Sequence, residues 1–136
     1  MKIIGIDPGT VTGVAIWDTL KKEYIHIGSG GMIDAFDVIE SEIYKLDINF
    51  EVWIEDARQR KWYGKVGREV LQGVGSIKRD CHIWEEFCKN RNLKHRMVAP
   101  KNIKTKMSAE GFKKITGWQG STNEHSRDAA MICFGA

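Results

Sequence analysis

No stretch of this sequence stays apolar for the ~18 residues that a bilayer-spanning helix requires. The N-terminus also lacks the long apolar core and small-residue cleavage site of a signal peptide. A cytoplasmic protein is therefore expected. Cysteine is scarce: Cys81, Cys88 and Cys133 are odd in number and form no CxxC pair. That excludes a disulfide framework and gives zinc poor spacing, so three buried or half-buried thiols are expected. Repeats, low-complexity tracts and linkers are absent too. With 136 residues, 42% hydrophobic and 29% charged, the chain reads as one globular domain, 1–136. It is long enough for a real core and too short for two lobes.

Basic residues are few in the first half. Residues 1–56 carry four Lys/Arg against eleven Asp/Glu, whereas residues 57–106 carry fourteen against four. The overall net charge of +3 hides this asymmetry. An acidic half joined to a basic middle suggests a cation site beside a surface for a polyanion.

The run "KIIGID" fits a central strand buried on both faces. "GVAIWD" and "EYIHIGSGGMI" read as two more strands joined by the polar "TLKK". A helix is expected over 34–47, with Asp34 as its cap and Phe36, Ile39, Ile43 and Leu46 on one face. "FEVWIED" is a fourth strand. The longest helical pattern follows, from Val66 to about Asn90, with Val66, Val70, Val74, Ile77, Cys81, Trp84 and Cys88 in one stripe. "LKHRMVAP" is a fifth strand. Ser108 and Gly117 bracket a short helix, and a last helix begins at Ser121, Thr122 or Asn123. The order β-β-β-α-β-α-β-α-α predicts an α/β fold: one mixed five-stranded sheet, an antiparallel meander plus parallel crossovers, flanked by helices.

Asp7 ends the first strand, and Pro8, Gly9 and Gly13 follow it, a turn that would let a phosphate come close. Glu55 and Asp56 end the fourth strand and point to opposite sides, so one of them faces the surface or a loop. His125 and Asp128, three apart, share one face of the last helix. Carboxylates at the ends of core strands are costly unless a cation lies between them. Such a set of oxygens and one nitrogen suits Mg²⁺ or Mn²⁺. Singly, Asp7 also fits a turn cap, His125 a structural histidine and Asp128 a partner for Arg127.

"IIGIDPGTVTGVAI", "VWIED" and "HSRDAAMI" together resemble the RuvC-type Holliday junction resolvases, nucleases of the ribonuclease H-like fold. The likeness spans essentially the whole chain, in the order of that family. It implies a metal-binding catalytic set of Asp7, Glu55, His125 and Asp128, the last helix being of the family's His-x-x-Asp kind. It further implies two Mg²⁺ ions per site, replaceable by Mn²⁺, and in-line hydrolysis leaving 5′-phosphate and 3′-hydroxyl ends. A homodimer would make paired nicks in four-way junctions. The family holds branched DNA through the segment after the Glu strand and through lysines after the fifth strand. Here these supply Arg58, Arg60, Lys61 and Lys65 for phosphates, Trp62 or Tyr63 for stacking, and Lys101, Lys104 and Lys106 near the scissile phosphate. The glycine-bearing long helix is the candidate subunit contact. Because the chain stops directly after the last helix, a compact, viral-type variant is expected.

Three other readings compete. "GIDPGTVTG" also resembles the phosphate-binding hairpin of actin-like and sugar-kinase ATPases, but those close a second lobe over the nucleotide. A nuclease of the same fold could act on flaps or RNA–DNA hybrids. A DNA-binding protein without catalysis is the third.

Overall fold

The structure is a computed structural model that describes residues 1–45, 49–59, 68–103 and 105–136, the side chains of 68–72 excepted. Its centre is strand β1 (Lys2–Asp7), where Ile3, Ile4 and Ile6 are all fully buried. Apolar side chains can go to both sides of a strand only when both sheet faces are covered, and they are. β1 pairs antiparallel with β2 (Thr12–Asp18), which pairs antiparallel with β3 (Glu23–Gly30). On its other side β1 runs parallel to β4 (Phe50–Glu55), which runs parallel to β5 (His95–Val98). The sheet order is therefore β3-β2-β1-β4-β5. This is the mixed five-stranded architecture expected from the sequence.

One face is covered by α1 (Met32–Ile43) and α2 (Arg68–Asn90). There Ile4, Ile6, Val14, Ile16, Val52 and Ile54 meet Ala35, Ile39, Trp84, Phe87 and Cys88. Phe36 and Phe87 stack with ring centres 4.3 Å apart, and the Phe36 ring lies 4.6 Å from that of the fully buried Trp84. The other face carries α3 (Ala109–Thr116) and α4 (Glu124–Cys133). Ile3, Ala15, Trp17 and Tyr24 pack there against Phe112, Ala129, Ala130 and Cys133. All three cysteines are free and buried, as expected, and burial pushes the Cys88 and Cys133 thiols up to about 12. Among the described residues no helix is long and apolar enough to cross a membrane.

Local boundaries depart from the sequence reading around α1: β3 ends at Gly30, and Met32 and Ile33, expected in that strand, belong to the helix. α1 starts at Met32, not Asp34; Asp34 sits inside the first turn and accepts a hydrogen bond from the Gly31 N–H at 2.9 Å. Its carboxylate thus satisfies an orphan donor at the helix start without being the cap itself. The helix also ends at Ile43, and Leu46 lies outside the described residues. In the α2 stripe, Cys81, Trp84 and Cys88 are buried and Val74 and Ile77 half-buried. Val66 and the Val70 side chain lie outside the described residues.

Candidate active site

Period-two alternation decides which carboxylates meet. On β1, Ile4 and Ile6 face α1 and α2, so Ile3, Gly5 and Asp7 face α4. On β4, Val52 and Ile54 face α2, so Trp53 and Glu55 face the α4 side. The parallel register pairs Ile6 with Ile54, which brings Asp7 and Glu55 to adjacent strand ends on one face.

Asp56 turns the other way. It accepts from Arg58 Nε at 2.7 Å, Arg58 Nη2 at 3.1 Å and Gln59 Nε2 at 3.2 Å. Burial alone would raise its carboxyl, but these donors hold it below the usual carboxylate range. Arg58 reaches Glu85 Oε2 as well, at 3.4 Å. Its guanidinium, expected at a phosphate-contact surface, is thus tied between two acids of its own chain.

α4 supplies the second half of the site. Asn123, one of its three expected starts, caps it: Asn123 Oδ1 accepts from the Ser126 N–H, and Ser126 Oγ accepts from the Asn123 N–H, each at 2.9 Å. The helix lies close on the sheet because glycine faces it at two points. A β-carbon on Gly13 would stand 2.0 Å from the His125 carbonyl oxygen, and one on Gly5 would stand 2.3 Å from that of Ala129. Real β-carbons do not approach so closely. Gly13, expected to make room for a phosphate, makes room for α4, since it is buried opposite Asp7 in the β1–β2 pair. The turn itself is closed by Thr12 Oγ1, which donates to the Gly9 carbonyl at 2.9 Å. At the far end of α4, the buried Tyr24 hydroxyl donates to the Ala130 carbonyl at 2.7 Å.

Asp7, Glu55, His125 and Asp128 therefore line one cleft of about 420 Å³, together with the turn Pro8–Val11, Ile77, Lys106 and Glu124. His125 Nδ1 lies 3.4 Å from Asp7 Oδ2. Asp128 Oδ1 accepts from the Lys106 main-chain N–H at 2.9 Å. Burial raises the Asp128 carboxyl above its ordinary range; the Lys106 N–H opposes this, and Glu55 and Glu124 push it up further. Lys101 is exposed on the turn Pro100–Asn102 and is not among the cleft-lining residues. Arg60, Lys61, Trp62, Tyr63, Lys65 and Lys104 lie outside the described residues.

Glu124 was not anticipated at the site. An acid at the first position of a helix reads as a partner for the helix dipole, which hides its second environment. As they stand, no three His, Cys, Asp or Glu side chains among the described residues are grouped so as to grip a metal ion. The donor types nonetheless fit Mg²⁺ or Mn²⁺: hard carboxylate oxygens with one imidazole, and a carboxyl whose ionisation is opposed by burial and then by two neighbouring acids.

No family model matches the sequence, and no curated protein matches it. The fold is similar to that of T. thermophilus RuvC in a complex with a Holliday junction substrate, with a TM-score of 0.63 and 16% identity. The match covers 99% of this chain and 91% of that one. The chain thus has the RuvC-type, ribonuclease H-like arrangement of a mixed five-stranded sheet flanked by helices.

Proposed function

We propose that this chain is a divalent-metal-dependent endonuclease that cuts branched DNA, four-way junctions foremost. The observation that carries the reading is the convergence of Asp7, Glu55, His125 and Asp128, from two strands and the last helix, on one cleft. The fold shared with a protein bound to a Holliday junction supports branched DNA as the substrate class.

Asp7, Glu55, Asp128 and His125 are the residues that would hold the ions, two per site by the family resemblance. Such ions supply positive charge against the phosphodiester and acidify an attacking water. The chain's own groups do the rest. His125 is set against Asp7 and limits the rotation of that carboxylate. Lys106, exposed and among the cleft-lining residues, supplies an ammonium to offset phosphate charge on entry. The exposed Val11 beside Asp7 presents an apolar wall to sugar or base.

Paired nicks require two such sites, which a homodimer would supply. The exposed Gly73 and Gly75 on α2 favour that helix as the contact, because a β-carbon on either would meet nothing within 4 Å.

The test is a cleavage assay on four-way junctions, flaps, RNA–DNA hybrids and plain duplex, with and without Mg²⁺ or Mn²⁺. Symmetric metal-dependent nicks in the junction are expected. Preference for flaps or hybrids would move the substrate within the same chemistry. Junction binding without products would mean a DNA-binding protein.

A further inference from the structure

Among the described residues, three that are not glycine have positive φ: Lys22 at 57°, Asn92 at 52° and Lys106 at 57°. Lys22 closes the β2–β3 connection, and Asn92 follows the end of α2, both common places for a left-handed residue. Lys106 is different. It sits in the irregular stretch before α3 and lines the cleft. A side chain with a β-carbon resists this conformation, and such outliers persist where the surroundings impose them.

The surroundings here are α4. The Lys106 N–H donates to Asp128 Oδ1 at 2.9 Å, and the Met107 carbonyl accepts from Arg127 Nε at 2.8 Å. Two consecutive residues of the helix thus grip two consecutive residues of the segment, one as acceptor and one as donor. Arg127 is itself fixed, since its Nη1 donates to Thr122 Oγ1 at 3.0 Å. Burial, and after it Glu55 and Glu124, disfavour the charged form of Asp128, and the Lys106 N–H is the donor that offsets this.

We propose that Lys106 is a positioning residue whose main chain, held left-handed, sets the Asp128 carboxylate in the cleft, apart from any work its ammonium does on DNA. The proposal rests on the nuclease reading for its consequence, though not for its geometry.

The test compares Lys106→Gly, Lys106→Asn and Lys106→Val. All three lose the same charge, but Gly and Asn accept the left-handed conformation and Val does not. All should bind junctions more weakly than wild type, with kcat of the Val variant lower than that of the other two by roughly tenfold or more. Equal kcat in the three overturns the proposal. Should the Val variant fail to fold, Lys106→Ala replaces it, with a smaller loss in the same direction. A second readout needs no activity: the residue-106 amide should resist hydrogen exchange in wild type and lose that protection in Asp128→Ala. An unprotected amide in wild type overturns the clamp. A wild type that cuts no DNA sinks the nuclease reading alone, and the exchange measurement still decides the clamp.

Discussion

The carbonyl oxygen of His125 lies 2.0 Å from where a β-carbon on Gly13 would stand. The start of α4, and with it His125 and Asp128, is therefore seated by a missing side chain. Gly13→Ala should destabilise the protein by about 1–3 kcal/mol as an overpacked contact, and Gly5→Ala similarly. Gly13→Ala should also lose junction cleavage at temperatures where it remains folded, because backbone rather than a flexible side chain must give way. Gly73→Ala, on an exposed helical face with open space within the chain, should instead stabilise the protomer by about 0.5–1 kcal/mol, while weakening a subunit contact made through that face. Thermal melts with parallel cleavage rates check all three. A Gly13→Ala protein with wild-type rates would contradict this seating.

Arg58 lies between Asp56 and Glu85. Because Asp56 is only 5% exposed, Arg58→Ala leaves a buried carboxylate short of donors. The loss should be about 1–3 kcal/mol of stability, with little change in junction affinity once the protein is folded. Lys106→Ala should show the reverse balance, weakening DNA binding more than folding. Melting temperatures and salt-dependent binding curves separate the two. A large affinity loss in Arg58→Ala at unchanged stability would make Arg58 the DNA contact that the family resemblance implies.

Asp128 gives a pH prediction. Burial first, then Glu55 and Glu124, put its folded pKa above the unfolded value. The folded state therefore holds that proton more tightly. Its contribution favours folding most at low pH and is lost as pH rises from the unfolded value near ~4 through the raised folded one. In chelator, Asp128→Asn should flatten this fall and melt above wild type at neutral pH; in Mg²⁺ it should lose cleavage. Its amide oxygen can still accept from the Lys106 N–H, so the clamp is kept. Melting temperature against pH reads the difference, and an Asn variant less stable than wild type at neutral pH contradicts the sign.

The mixed sheet and the burial of β1 on both faces were legible because burial writes itself into local pattern. Ile3, Ile4 and Ile6 mark a strand covered on both sides, and Ser108 with Gly117 bracket α3 in both chain and structure. The choice between Glu55 and Asp56 was not legible from parity alone. Alternation separates the two faces without saying which face receives α4, and Arg58 two residues on supplies the local partner that removes Asp56. The role of Gly5 and Gly13 was invisible because it depends on where a helix more than a hundred residues later crosses the sheet. Likewise, the hold of Lys106 on Asp128 runs through its N–H, which every residue but proline possesses, so the side-chain pattern that marked its ammonium could not show it.

Asp7, Glu55, His125 and Asp128 are proposed to form a metal-dependent phosphodiesterase site. The most direct measurement is the cleavage rate of a four-way junction by wild type and by Asp7→Asn, in Mg²⁺ and in chelator. Wild type should nick the junction only with the metal, and Asp7→Asn should be slower by about a hundredfold or more. An Asp7→Asn protein that cuts as fast as wild type in Mg²⁺ would contradict the account.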